Sequence, residues 1–374
     1  MTLIFFYLFL ICSCLQLAFY LSICAPFAFS KREEEKRPSL QKFVSVVIAA
    51  RNEAENLPSL LEQLAEQNYD NYEVIIVNDR STDNSGAILD KWSSEHKWLK
   101  YLQIDEVPAH INPKKNALQV GIEQAKGEVL LFTDADCTPL SNNWIESMAS
   151  AYTNDGVSVV LGFSDYEEKN TLLNRLIRWD TFYTAVQYFS LAQMGLPYMG
   201  VGRNLSYKKS LFKKSGKFSR FSNIIGGDDD LLVGRMATKN NTALIYTPDS
   251  QTVSKPEPTW SLWFKQKHRH LSVGVYYPLK IKLILGLIQL SFIFLYLLLF
   301  VLLILAYKIV IIATVYLFRT ATTWIILNRI AIKFYGKKRK WQLLSLMPIF
   351  ELFYVAYYTV AGIAALLNRK VKWK

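Results

Sequence analysis

Residues 3–29, LIFFYLFLICSCLQLAFYLSICAPFAF, carry no charged side chain. A run of that length crosses a hydrocarbon core of about 30 Å as a helix. Lipid leaves the backbone few other choices, because every N–H and C=O must be satisfied inside the segment. A cleaved signal peptide would place basic residues ahead of a shorter apolar core, whereas here KREEEKR follows it. The segment therefore reads as an uncleaved anchor. By the positive-inside rule, the chain after Lys31 is expected on the cytoplasmic side of a cell (inner) membrane. Apolar runs return near residue 283, so the predicted organisation is an anchor over 1–30, a domain over 43–275 and a membrane region over 283–374. The bilayer is one expected partner; nucleic acid is not expected, although the net charge is +12.

Within the last region, 283–306 and 309–327 are predicted to form a membrane hairpin, with Arg319 and Arg329 facing protein or water. The stretch 341–367 contains Pro348 and Glu351, which suit a lipid-facing helix poorly. A simple crossing would also leave the basic tail NRKVKWK outside. A re-entrant or interfacial helical hairpin that returns the tail, with Trp373, to the cytoplasm is expected there.

Between the membrane segments, FVSVVIAA, YEVIIVNDRS and EVLLFTDADC alternate with amphipathic stretches such as LPSLLEQLAEQ, in which Leu57, Leu60, Leu61 and Leu64 recur at helical spacing. Short apolar runs of this kind read as buried parallel strands of an α/β sheet. Ligands of open α/β sheets bind beyond the carboxyl ends of the strands. Attention therefore falls on Ala50 and Glu53 after the first run, Asp79 after the second, and Asp134 and Asp136 after the third. Two acids spaced i and i+2 on a strand share a side and repel unless a cation lies between them. With Lys114 and Lys115 of NPKKNALQVG, three such acids could hold a divalent metal and a phosphate ligand together. The four cysteines give neither a disulfide framework nor a zinc spacing.

In this order the motifs resemble those of family-2 glycosyltransferases over roughly residues 43–275. The resemblance implies a GT-A type nucleotide-sugar-binding α/β domain with N- and C-terminal transmembrane helices. It implies that Asp79 meets the nucleobase with Ala50 and Glu53 close by, and that Lys114 lines the nucleotide pocket, although Pro113 replaces the usual glycine. Asp134 and Asp136 match the family's D-x-D, which holds Mg2+ or Mn2+ on the donor diphosphate. GGDDDLLVGRM resembles the E-D-x-x-L segment, making Asp229 the general base and placing Asp228 beside the acceptor. QKHRH resembles the Q-x-x-R-W motif of the membrane-bound branch that includes ceramide glucosyltransferases and cellulose, chitin and hyaluronan synthases. Gln266 and Arg269 would then face the diphosphate, and His270 would stand at the acceptor in place of tryptophan. MGVGRNLSYKKSLF, similar to a G-x-N-x-x-Y substrate loop, adds Gly202 and Asn204 to the acceptor side.

The expected activity is inverting transfer of a sugar from a nucleotide donor, UDP in the first instance, to a membrane lipid acceptor. One apolar segment before the domain and about three after it, at roughly 20 residues each, are few for a polymer channel. The other readings are a short processive polysaccharide synthase and a catalytically idle protein that binds a nucleotide as a regulatory ligand.

Overall fold

The computed structural model describes residues 1–31, 42–336 and 346–367. Helices α1 (Thr2–Phe19) and α2 (Ala25–Phe29) are joined by a π-helical turn at Tyr20–Cys24, just ahead of Pro26, which has no N–H for the carbonyl four residues back. Then come β1 (Val44–Ala50), α3 (Leu57–Ala65), β2 (Tyr72–Asp79), α4 (Ser85–Glu95), β3 (Leu99–Ile104), α5 (Pro113–Gln124) and β4 (Val129–Phe132). The chain continues through β5 (Cys137–Pro139), α6 (Trp144–Ser150), β6 (Val159–Gly162), β7 (Ser164–Tyr166) and the long α7 (Leu172–Gln193). Next are β8 (Leu205–Lys208), α8 (Lys209–Lys214), α9 (Asp230–Met236), β9 (Thr242–Ile245) and β10 (Thr252–Ser254). The last helices are α10 (Trp260–Val273), α11 (Leu279–Ile304), α12 (Ile309–Tyr335) and α13 (Met347–Leu367).

Two compact units result, one from the described residues of 33–169 and 195–257, the other from those of 1–32, 170–194 and 258–371. In the first, a seven-stranded sheet runs in the order β3-β2-β1-β4-β8-β6-β9. β1 is parallel to β2 and to β4, as the unbroken apolar runs imply, and Leu57, Leu60, Leu61 and Leu64 pack on the sheet with 0% exposure. β8 is antiparallel to both β4 and β6. Its sequence, LSYK, is interrupted by Ser206 and Lys208 and lacks the continuous apolar signature of a strand buried on both faces. A second, three-stranded sheet, β5-β10-β7, is built from very short strands.

Among the described residues the second unit holds four helices long and apolar enough to cross a membrane: 2–29, α11, α12 and 347–364 of α13. α11 and α12 form the expected antiparallel hairpin, with Tyr296 opposite Tyr316 (ring centroids 6.4 Å) and the Arg319 guanidinium 5.2 Å from the Phe292 ring. Arg319 is wholly buried among protein groups, and the Arg329 guanidinium lies 5.6 Å from the Phe29 ring.

The expected helical hairpin in 341–367 is corrected over its described part, because 347–367 forms one continuous helix. Pro348 is the second residue of α13, where its missing N–H would have had no intrahelical partner. Glu351 is 3% exposed and accepts both ends of the Arg319 guanidinium, Nη1 at 2.5 Å and Nη2 at 2.7 Å, together with the Tyr296 hydroxyl at 2.7 Å. Neither residue therefore requires the chain to turn back. The tail from 368 onward, with Trp373, and the basic run 337–340 lie outside the described residues.

Candidate functional site

Parallel register puts Ala50 opposite Asn78, one residue before Asp79. Ala50 is 1% exposed. Beyond it the chain turns at Asn52, whose φ of 56° is in the left-handed region that asparagine tolerates. The Asn52 side-chain oxygen accepts the Thr82 N–H at 2.8 Å, and the Glu53 N–H donates to Ser85 Oγ at 2.9 Å. These bonds lace the loop after β1 to the loop after β2, bringing Ala50, Glu53 and Asp79 into one neighbourhood. Asp79 Oδ1 accepts Arg80 Nε at 2.8 Å, and Oδ2 accepts Arg80 Nη2 at 3.3 Å.

The D-x-D pair is not held on a strand. β4 ends at Phe132, and a turn closed by the Cys137 N–H on the Asp134 carbonyl (3.1 Å) leads into β5 of the smaller sheet. The turn still gathers the acids: one carboxylate oxygen from each of Asp134 and Asp136 lies with Cys137 Sγ inside a 4.8 Å cluster. Two carboxylates suit a hard divalent ion such as Mg2+ or Mn2+. The thiol does not: burial, together with the charges of Asp136 and Asp134, pushes it well above its ordinary 9.0. Burial and then the Asp134 charge raise the Asp136 carboxyl above 3.8. That is the strain a cation between the two acids would relieve.

Lys114, in the first turn of α5, joins this turn to the acidic segment, with Nζ 2.8 Å from Asp134 Oδ1 and 3.1 Å from Asp228 Oδ2. Burial works against its charge, but Asp134, Asp228 and Asp229 overcome that and raise its pKa, so the ammonium persists. Lys115, expected beside it at a phosphate, is corrected: it is 0% exposed and its Nζ donates to the carbonyls of Ile224 and Gly226. It fixes the loop leading to the acids instead. In that loop Gly227 has φ of 77°, and a Cβ there would meet the Leu231 side chain at 2.6 Å, so only glycine fits.

Asp229 caps α9. Its Oδ1 accepts the Asp230 N–H and its Oδ2 the Gly202 N–H, both at 2.8 Å. Burial and the neighbouring Asp228 charge push its carboxyl above 3.8, against the pull of Lys114 and the two N–H donors. Burial would raise Asp228 likewise, but Lys114 and Lys115 prevail and hold it below 3.8. Adjacent acids thus take opposite shifts. Lys114, Asp134, Gly202, Asp228 and Asp229 line one cleft with Leu118, Phe132, Thr133, Leu205 and Tyr207.

Asn204, expected at the acceptor, is corrected to a structural residue. It is 0% exposed, its Oδ1 accepts Trp144 Nε1 at 3.0 Å, and its Nδ2 donates to the Phe163 and Ser250 carbonyls, each at 2.7 Å. Its neighbour Arg203, given no role from the sequence, stacks 4.3 Å from the Tyr166 ring, and the groups around it, with Asp136 and Asp134 among them, raise its pKa against burial. A basic residue inside a glycine-bearing loop was the available signal. Gln266, Arg269 and His270 lie on α10 of the other unit; His270 is exposed, and Gln266 and Arg269 are half-buried.

Comparison with known proteins gives the resemblance of the α/β unit. Residues 45–216 match the family described as glycosyl transferase family 2. "Probable glycosyltransferase YdaM" of Bacillus subtilis is 27% identical over 253 residues, covering 63% of this chain and 56% of that protein. "Glycosyltransferase AglE" of Haloferax volcanii is 35% identical over 130 residues, covering 34% of this chain and 41% of its own length. The chain thus spans about half the length of these relatives. Its fold matches that of a mannosyltransferase from Pyrobaculum calidifontis, solved with GDP-Man and Mn2+, at a TM-score of 0.62 and 15% identity over 99% of both chains. The α/β unit has the expected GT-A type fold, four apolar helices accompany it among the described residues, and residues 45–216, a little under half of the chain, resemble glycosyl transferase family 2.

Proposed function

We propose that the protein transfers one sugar from a nucleotide donor, a UDP-sugar in the first instance, to a lipid acceptor at the cytoplasmic face of a membrane, with inversion at the anomeric carbon. The observation that carries this reading is the single cleft in which Lys114, Asp134, Asp228 and Asp229 meet with opposed proton affinities. Asp79, with Ala50 and Glu53, holds the base and ribose. Asp134 and Asp136 would hold Mg2+ or Mn2+, which would supply a Lewis acid for the leaving diphosphate. Lys114, Arg203 and Arg269 give further positive charge to the phosphates, and the Gln266 amide offers them an N–H donor. Gly202, Asp228 and His270 border the acceptor.

Asp229 takes the proton of the acceptor hydroxyl as its oxygen bonds to the anomeric carbon. The carbon–oxygen bond to the diphosphate breaks, and the nucleoside diphosphate leaves on the opposite side. A raised carboxyl pKa suits this role, since a base works best when its proton affinity approaches the operating range. The anchor followed by Lys31 supports the cytoplasmic placement. The four candidate spans among the described residues support single transfer over extrusion of a polymer.

Membranes bearing the protein, supplied with radiolabelled UDP- and GDP-sugars, test the reading: label is expected in a chloroform-soluble product. Label in a large water-insoluble polymer would establish the polysaccharide synthase instead, and nucleotide binding without transfer from any donor would establish a regulatory role. Asp136→Ala should weaken donor binding only when Mg2+ or Mn2+ is supplied. Titration of the wild type with and without a chelator checks this, and indifference to the chelator would remove the metal from the site.

A further inference from the structure

We propose that Asp180 is a positioning residue for donor binding, fixing the rotation of α10 and thereby the directions of Gln266 and Arg269. The functional part of this proposal rests on the reading that those two side chains serve the diphosphate.

Asp180 lies near the middle of α7 and is 0% exposed. Both of its oxygens are taken. Oδ2 pairs with the ammonium of Lys267, from α10, and Oδ1 accepts the hydroxyl of Tyr357, from α13. The lysine side chain is itself only 12% exposed. One buried carboxylate therefore ties three helices of the membrane unit together. On α10, Trp263 is 1% exposed with its ring 4.8 Å from that of Tyr357, and His268 Nε2 is 3.3 Å from the Ala364 carbonyl oxygen.

Helical geometry turns this anchor into an aiming device. At 3.6 residues per turn, Lys267 stands about 40° around the axis from Trp263 and about 200° from Arg269. Trp263 and Lys267 share the side turned to α13 and α7, and Arg269 leaves from the opposite side. An apolar face tolerates a small rotation of a helix, because hydrophobic contact is not directional. A buried ion pair does not, because rotation would leave the Asp180 charge without its partner. The lysine inside QKHRH thus sets where the flanking glutamine and arginine point.

The test uses the full-length protein in membranes or detergent. Asp180→Asn should raise the KM for the UDP-sugar about tenfold or more, on the scale seen when a binding group is displaced without being removed, while kcat stays within about threefold. UDP affinity should fall in parallel, and Lys267→Arg should restore most of the loss when compared with Lys267→Met. A second readout does not depend on turnover. In a background with the four native cysteines replaced by alanine, the labelling rate of the R269C thiol should differ between Asp180 and D180N versions. If D180N does not fold, Tyr357→Phe, which deletes one hydroxyl, carries the same measurements with a smaller shift. Folded variants that lose thermal stability while donor KM and R269C labelling stay unchanged would make the triad merely structural and overturn the proposal. Altered labelling in a protein that transfers no sugar would sink the diphosphate reading and leave the control of helix rotation standing.

Discussion

Asp229→Asn is expected to lower sugar transfer by about 10²- to 10⁴-fold, the range lost with a positioned general base, while UDP and metal binding stay near wild type. The amide keeps an oxygen for the Gly202 or Asp230 N–H, so the cap of α9 is largely retained. Asp228→Asn should behave differently. It removes one of the two carboxylates on Lys114 and frees that lysine towards Asp134, so donor affinity should change along with rate. Single-turnover rates with prebound donor separate the two. Transfer by Asp229→Asn within about threefold of wild type would move the base to a neighbouring acid.

The same residue sets a pH dependence. In the proposed role of base Asp229 acts only when deprotonated, and its carboxyl is raised above 3.8 by burial and by Asp228. Single-turnover transfer should therefore fall as pH drops through a midpoint above 3.8, with full activity on the alkaline side. A pH–rate profile checks the sign, and the acid limb should vanish from the residual rate of Asp229→Asn.

The second large effect concerns the membrane unit. Replacing Glu351 by glutamine or Arg319 by methionine leaves one buried charge without its partner, which typically costs about 3–5 kcal/mol. The paired change R319M/E351M removes both charges and should recover most of that loss, since buried ion pairs are often replaceable by apolar side chains of similar volume. Thermal unfolding in detergent of the two single variants and the double variant measures the difference. Additive losses would show that the two side chains do not act as a pair.

How far the sequence reveals this protein depends on how local each determinant is. The strands ending at Ala50, Asp79 and Phe132 are legible because apolar runs and their terminal acids are contiguous. The leucines of α3 are legible because one period organises them. The D-x-D acids come together as expected but on a turn, since two-residue spacing does not say where β4 stops. Lys115 and Asn204 mislead because their partners, the carbonyls of 224 and 226 and of 163 and 250, come from distant loops that no spacing announces. Glu351 misleads for the same reason: a lone acid in an apolar run looks unfavourable for crossing until an arginine 32 residues away neutralises it.

Asn204 also shows how narrowly this enzyme can be redesigned. Its amide binds α6 and two loops from beneath, and Gly162 packs so closely that a Cβ there would stand 2.5 Å from the Asn204 side chain. Arg203, the adjoining residue, instead stacks its guanidinium 4.3 Å from the Tyr166 ring. Successive positions thus serve different neighbours, one tied to three parts of the fold and the other stacked on a ring. A library meant to retune substrate preference would fill with unfolded clones if 162 or 204 were included.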